Sequence, residues 1–179
     1  MCSKFSAFIS LILLAFGVTQ TYTKFEFTNV NCTSLDKSYV TFEYCYLKSV
    51  NRTYKYGSLK VNLHQGAITV LHLNLAIYQR LSGYKPFLYN VTVDYCKFIA
   101  NSKSSPVARF IVNLFGPYSN LNHTCPYDHP IIIDKAPISH LDYQLTKVLP
   151  FPKGKYGFHS IWSVNRIPRA HVNVYGTLS

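Results

Sequence analysis

The chain has 179 residues, 48% of them hydrophobic, with 15 Tyr and 12 Phe against one Trp and one Met, the Met being the initiator. Its 18 Lys and Arg outnumber 7 Asp and Glu, for a formal net charge of +11. This length supports a single domain with a sizeable core. The basic residues are scattered and match no nucleic-acid motif, which argues against nucleic acid as a partner; the few carboxylates leave little for paired acid–base catalysis.

The chain opens on a secretory leader. Lys4 supplies a positive end, Phe5 to Phe16 an apolar stretch containing Leu11-Ile12-Leu13-Leu14, and Ala15-Phe16-Gly17 the small-x-small pattern read by signal peptidase. The expected signal peptide is 1–21, cleaved after Gly17 or after Thr21, with 22–179 a single β-sandwich domain. The apolar run of about 12 residues is short of the ~20 that a spanning helix needs. The expected location is extracellular.

Beyond the leader, period-two alternation dominates. Phe25 and Phe27 alternate with Glu26 and Thr28, and this strand should end near Asn29, because continuing the phase would turn Asn31 inward. Val40, Phe42, Tyr44 and Tyr46 share one face of a second strand; Leu59, Val61 and Leu63 mark a third. Leu71, Leu73, Leu75 and Ile77 mark a fourth, with a bulge or bend at Val70. Phe87, Tyr89, Val91, Val93 and Tyr95 alternate with Leu88, Asn90, Thr92 and Asp94. Ser105-Pro106 is an N-cap followed by a first-turn proline, and Val107, Phe110, Ile111 and Leu114 recur at helical spacing until Gly116-Pro117, so one short α-helix is expected near 105–115. Strands are then expected at Ile131–Ile133, at Leu141–Leu149, around Tyr156, Phe158 and Trp162, and at Ala170–Leu178. About nine short strands with frequent turns describe an all-β, two-sheet immunoglobulin-like β-sandwich.

Once the leader has gone with Cys2, four cysteines remain: Cys32, Cys45, Cys96 and Cys125. An even number in an oxidising compartment reads as disulfides. Three pairings are open; proximity along the chain favours Cys32–Cys45 and Cys96–Cys125. No C-x-x-C or H-x-x-x-H spacing favours a metal, and none is expected. Asn31, Asn51, Asn90 and Asn122 each begin an N-x-[ST] sequon, which agrees with secretion.

Signatures of chemistry are missing: there is no nucleophile elbow, phosphate-cradling loop or H-E-x-x-H. His123, Asp128 and His129 gather around Cys125-Pro126 and read as a polar loop beside a disulfide. The expectation is a protein that is not an enzyme and needs no cofactor.

The cysteine framework carries a resemblance. Asn31-Cys32, Phe42-Glu43-Tyr44-Cys45, Pro86-Phe87-Leu88-Tyr89-Asn90, Asp94-Tyr95-Cys96-Lys97-Phe98 and His123-Thr124-Cys125-Pro126-Tyr127 resemble the insect family of secreted proteins catalogued as domain of unknown function DUF1091, which includes the gustatory CheB proteins. So do Leu149-Pro150-Phe151-Pro152-Lys153-Gly154 and Val174-Tyr175-Gly176. More distantly, the second half is similar to the MD-2-related lipid-recognition (ML) domains, on Cys125-Pro126 and Pro152-Lys153-Gly154-Lys155-Tyr156. The resemblance implies an ML-like sandwich whose sheets part to hold an acyl chain or sterol, and, in the CheB branch, a role in contact chemosensation and pheromone detection.

Two readings of the aromatic stripes stay open. Phe42, Tyr44, Tyr46, Phe87, Tyr89, Val91, Val93, Phe158 and Trp162 form either a closed core or the lining of a cavity between the sheets. The first makes the protein an extracellular interaction module for a membrane receptor or channel. The second, which the resemblance favours, makes it a carrier of an apolar small molecule or lipid: a hydrocarbon or a pheromone.

Overall fold

The computed structural model describes residues 24–101, 105–121, 123–148 and 151–179. The leader, the sequon residue Asn122, and Leu149-Pro150 lie outside the described residues. Eight strands are present: β1 (Phe25–Ser34), β2 (Val40–Ser49), β3 (Lys55–Leu63), β4 (Leu71–Arg80), β5 (Tyr84–Asp94), β6 (Ile131–Pro137), β7 (Gly154–Val164) and β8 (Ile167–Leu178). They form two antiparallel sheets, one ordered β1-β8-β7-β4-β5 and the other β2-β3-β6. The two-sheet sandwich expected from the alternation is therefore the observed architecture. Cys32–Cys45 ties β1 to β2, and so one sheet to the other, across a Cα separation of 6.2 Å.

Two of the three α-helices among the described residues follow local capping signals. Asp94 caps α1 (Tyr95–Ala100), its carboxylate accepting the Lys97 N–H at 3.1 Å. Ser105 caps α2 (Pro106–Phe115), its Oγ accepting the Ala108 N–H at 3.2 Å. This is the helix expected at 105–115. The third, α3 (Ile138–Tyr143), runs on into a π-turn at Gln144–Val148 and replaces the strand expected at Leu141–Leu149. Ile138, Leu141 and Leu145 recur at helical spacing and are all buried, so one stripe faces the core where alternation would have buried every second residue. Cys96–Cys125 joins α1 to the loop before β6.

Bulges shift several strands out of simple alternation, those in β1, β2 and β5 moving predicted residues. In β1 the register passes from Phe27↔Gly176 to Asn29↔Tyr175 and leaves Thr28 unpaired. The phase flips, Val30 and Cys32 turn inward, Asn31 stays exposed, and the strand continues past Asn29 to Ser34. In β2 the register passes from Phe42↔Val61 to Tyr44↔Lys60, leaving out Glu43. Cys45 and Leu47 thereby join the core while Tyr44 and Tyr46 move to the opposite face, so the expected common face of Phe42, Tyr44 and Tyr46 does not form. In β5 the pairs Ala76↔Asn90 and Tyr78↔Pro86 leave Phe87, Leu88 and Tyr89 opposite Ile77 alone, and Leu88 takes a φ of 56° with 67% of its surface exposed.

Gly176 pairs with Phe27 and with Tyr156, and a Cβ there would sit 2.3 Å from the fully buried Phe25 ring. Gly176→Ala is expected to cost about 1–3 kcal/mol in chemical denaturation. Gly116→Ala, whose Cβ would meet nothing closer than 3.7 Å, is expected to stay within about 0.5 kcal/mol.

Burial opposes ionisation of Asp94, but the Lys97 backbone N–H, the Lys97 ammonium and His72 together hold its carboxyl below the ordinary value of 3.8. A lowered folded pKa means that the stabilisation is complete above that ordinary value and is lost as pH falls through the folded one. Asp94→Asn is expected to be less stable at neutral pH and to show a shallower loss of stability below about pH 4 than the unsubstituted protein, read by acid titration of the denaturation midpoint.

Candidate functional site: an apolar cavity between the sheets

A three-stranded sheet is too narrow to cover a five-stranded one. β2, β3 and β6 pack over β8 and β7, where Val40, Leu59, Val61 and Ile131 meet Ala170 and Val172. Over β5 the cover is helical, with Phe98 of α1 and Ala108 of α2 closing on Val93. One end is sealed by Phe25, Leu141, Leu145, Phe151 and Tyr156, the other by Leu71, Tyr95 and Tyr127 beside the Cys96–Cys125 disulfide.

Between these clusters lies a cavity of about 450 Å³. β4 forms its floor through Leu73, Leu75 and Ile77, β7 contributes Phe158, Ser160 and Trp162, and β8 adds Val172 and Val174. Its roof is Leu47 and Leu59 from the smaller sheet together with Phe110, Ile111 and Leu114 of α2. Leu73, Leu75 and Ile77 sit on the inward face of a strand paired on both sides, yet each is only half-buried. The cavity itself accounts for that exposure.

Chemically the space is hydrocarbon-like. Among the described residues no Lys, Arg, Asp or Glu borders it. The Ser160 hydroxyl donates to the Val172 carbonyl at 2.9 Å and accepts the Trp162 Nε1–H at 3.0 Å. The Tyr95 hydroxyl donates to the Leu121 carbonyl at 3.0 Å, and burial raises its pKa. Ser58 Oγ accepts the Lys135 N–H at 3.0 Å. His159 borders the space but its ring packs on the outer face of the sheet, 4.5 Å from the Tyr78 ring and 5.6 Å from Tyr175. Burial, with the nearby His171, lowers the pKa of His159 and favours its neutral form.

Of the nine residues that the sequence offers as cavity lining, Tyr46, Tyr89, Val93, Phe158 and Trp162 border it. Tyr46 and Tyr89, 40% and 38% exposed, mark its margins. The other four are placed elsewhere. Phe42 is absorbed by the packed cluster around Val61, and Tyr44 is turned out by the bulge at Glu43. Phe87 stands against Phe151 and Tyr156 at ring distances of 5.8 and 5.6 Å, and Val91 packs under α1 and α2. What the sequence reading leaves out is the helical roof and the β4 floor. The spacing of Phe110, Ile111 and Leu114 already reveals an apolar helix face, but not what that face covers.

The described sequon residues Asn31, Asn51 and Asn90 stand away from the cavity. One transverse row of the five-stranded sheet runs Asn90, Ala76, His159, Asn173, Asn31, which puts Asn90 and Asn31 at the two edges of the outer face, both exposed. Asn51 forms the turn between β2 and β3, its Oδ1 accepting the Tyr54 N–H at 2.7 Å. In the loop beside Cys125, His123 Nε2 lies 3.3 Å from His129 Nε2, and His129 Nδ1 lies 3.0 Å from the Asp128 carboxylate. Among the described residues no group of three or more His, Cys, Asp or Glu is placed to hold a metal ion, and no helix is long and apolar enough to cross a membrane.

Residues 73–158 match the model of the family described as "Protein of unknown function (DUF1091)", in agreement with the resemblance carried by the cysteine framework. No curated protein sequence matches the chain. Among solved structures, a Niemann-Pick type C2 protein from Japanese carpenter ant aligns over 85% of this chain and 90% of its own, at 10% identity and a TM-score of 0.29.

Enlarging a side chain in a packed core ordinarily destabilises, but Leu75 faces open space. Leu75→Phe is expected to leave the denaturation midpoint within about 0.5 kcal/mol of the unsubstituted protein or to raise it, the opposite of Gly176→Ala.

Proposed function

We propose that the protein is an extracellular carrier which holds an apolar ligand between its two sheets. The cavity carries this reading. Protein interiors are packed like organic crystals, with few voids larger than a water molecule. An apolar space of about 450 Å³ is far larger than such voids, and leaving its walls uncovered costs stability. A ligand filling that space recovers the cost, and each buried CH₂ adds about 0.8 kcal/mol. The two disulfides agree with an extracellular setting. The absence of convergent ionised groups at the cavity supports carriage over catalysis. The setting of contact chemosensation, with a membrane receptor or channel receiving the ligand, is supported by the likeness to the CheB proteins.

The rival module, with a closed and filled core, accounts for the fold but leaves the cavity without a purpose. The test is to secrete the protein from insect cells, purify it without detergent, and measure it by native mass spectrometry alongside lipid extraction. A stoichiometric apolar molecule, diminished at least about tenfold in Leu75→Phe, is the expected result. An empty protein that takes up no neutral fluorophore overturns the carrier reading in favour of the interaction module.

A further inference from the structure

Resting on the carrier reading, we infer that the cavity selects ligands without a charged head group: an uncharged hydrocarbon skeleton is enclosed, and a carboxylate of the same length is rejected. Recognition of a head group inside a protein needs a cation or an uncommitted donor to replace the water that the head gives up. The described walls offer no cation, and the donors they leave are neutral hydroxyls, which cannot balance the charge of a carboxylate. Ser160 Oγ has given its hydrogen to the Val172 carbonyl, and the Trp162 indole N–H is spent on that same oxygen. The Tyr95 hydroxyl is committed to the Leu121 carbonyl, and the Ser119 hydroxyl donates to the Gly116 carbonyl at 3.4 Å. Ser58, buried at 4% exposure, accepts a backbone N–H and keeps its own hydroxyl hydrogen, a neutral donor. Backbone groups of β4 and β7 are engaged in their ladders.

The one imidazole at the border faces away, between Tyr78 and Tyr175. Among the described residues no Lys or Arg borders the space. Described walls without a cation fit a neutral occupant better than a charged one.

The experiment is displacement of the neutral fluorophore N-phenyl-1-naphthylamine from the intact secreted protein at neutral pH. The competitors are pentadecane, methyl pentadecanoate and sodium pentadecanoate below its micellar range. The ester and the acid share one chain, so their difference isolates the charge. The hydrocarbon and the ester are expected to displace the fluorophore, and the carboxylate to require a concentration at least about 30-fold higher. Equal displacement by the carboxylate and its ester overturns the selectivity while leaving the carrier intact. Failure of the fluorophore and of every competitor to bind overturns the carrier reading, and this inference with it.

Discussion

The mismatch in width between a five-stranded and a three-stranded sheet governs the rest of the molecule. Each sheet must bury one apolar face, and the smaller sheet supplies cover only for β8, β7 and the β1 edge. The inward residues of β4 and β5 would otherwise face water. Helices α1 and α2 take that place, but a helix packed across a twisted sheet does not fill space as a facing strand does. Leu73, Leu75 and Ile77 are left with a gap above them, and the gap becomes the cavity.

Holding such a gap open requires that the surrounding clusters be firm. The Cys32–Cys45 bridge fixes the sheets together at one edge, and Cys96–Cys125 fastens α1 to the chain segment entering β6. Between them, the rings of Phe25, Phe151 and Tyr156 close one end, while Tyr95 and Tyr127, both nearly without exposure, close the other. The bulges serve the same arrangement. By skipping Glu43, β2 turns Leu47 toward the cavity and delivers Cys45 to its disulfide partner; by skipping Thr28, β1 brings Val30 and Cys32 inward.

Polar chemistry is divided by face. The described cavity wall is mostly apolar, and Ser160, Trp162 and Tyr95 spend their hydrogens on the protein. The exterior carries the ion pairs, such as Lys55–Glu26 and Lys60–Glu43, together with the exposed sequon residues Asn31, Asn51 and Asn90.

The amino-acid sequence by itself determined the properties that act over a few residues. Alternation marked the strands, Ser105-Pro106 and Gly116 bounded α2, and the cysteine framework pointed to the family whose model matches residues 73–158. Alternation has no memory across an unpaired residue, however, and whether a strand bulges depends on the partner it meets. That is why Asn31 faces outward despite its phase in the sequence, and why Tyr44 leaves the face it shares on paper with Phe42. The Leu141–Leu149 segment fits either period over so short a span, and only its packing beneath β1 and β3 made it helical. The cavity belongs wholly to the tertiary structure. A void is a difference between two surfaces, and no local pattern in one segment records how far it stands from another.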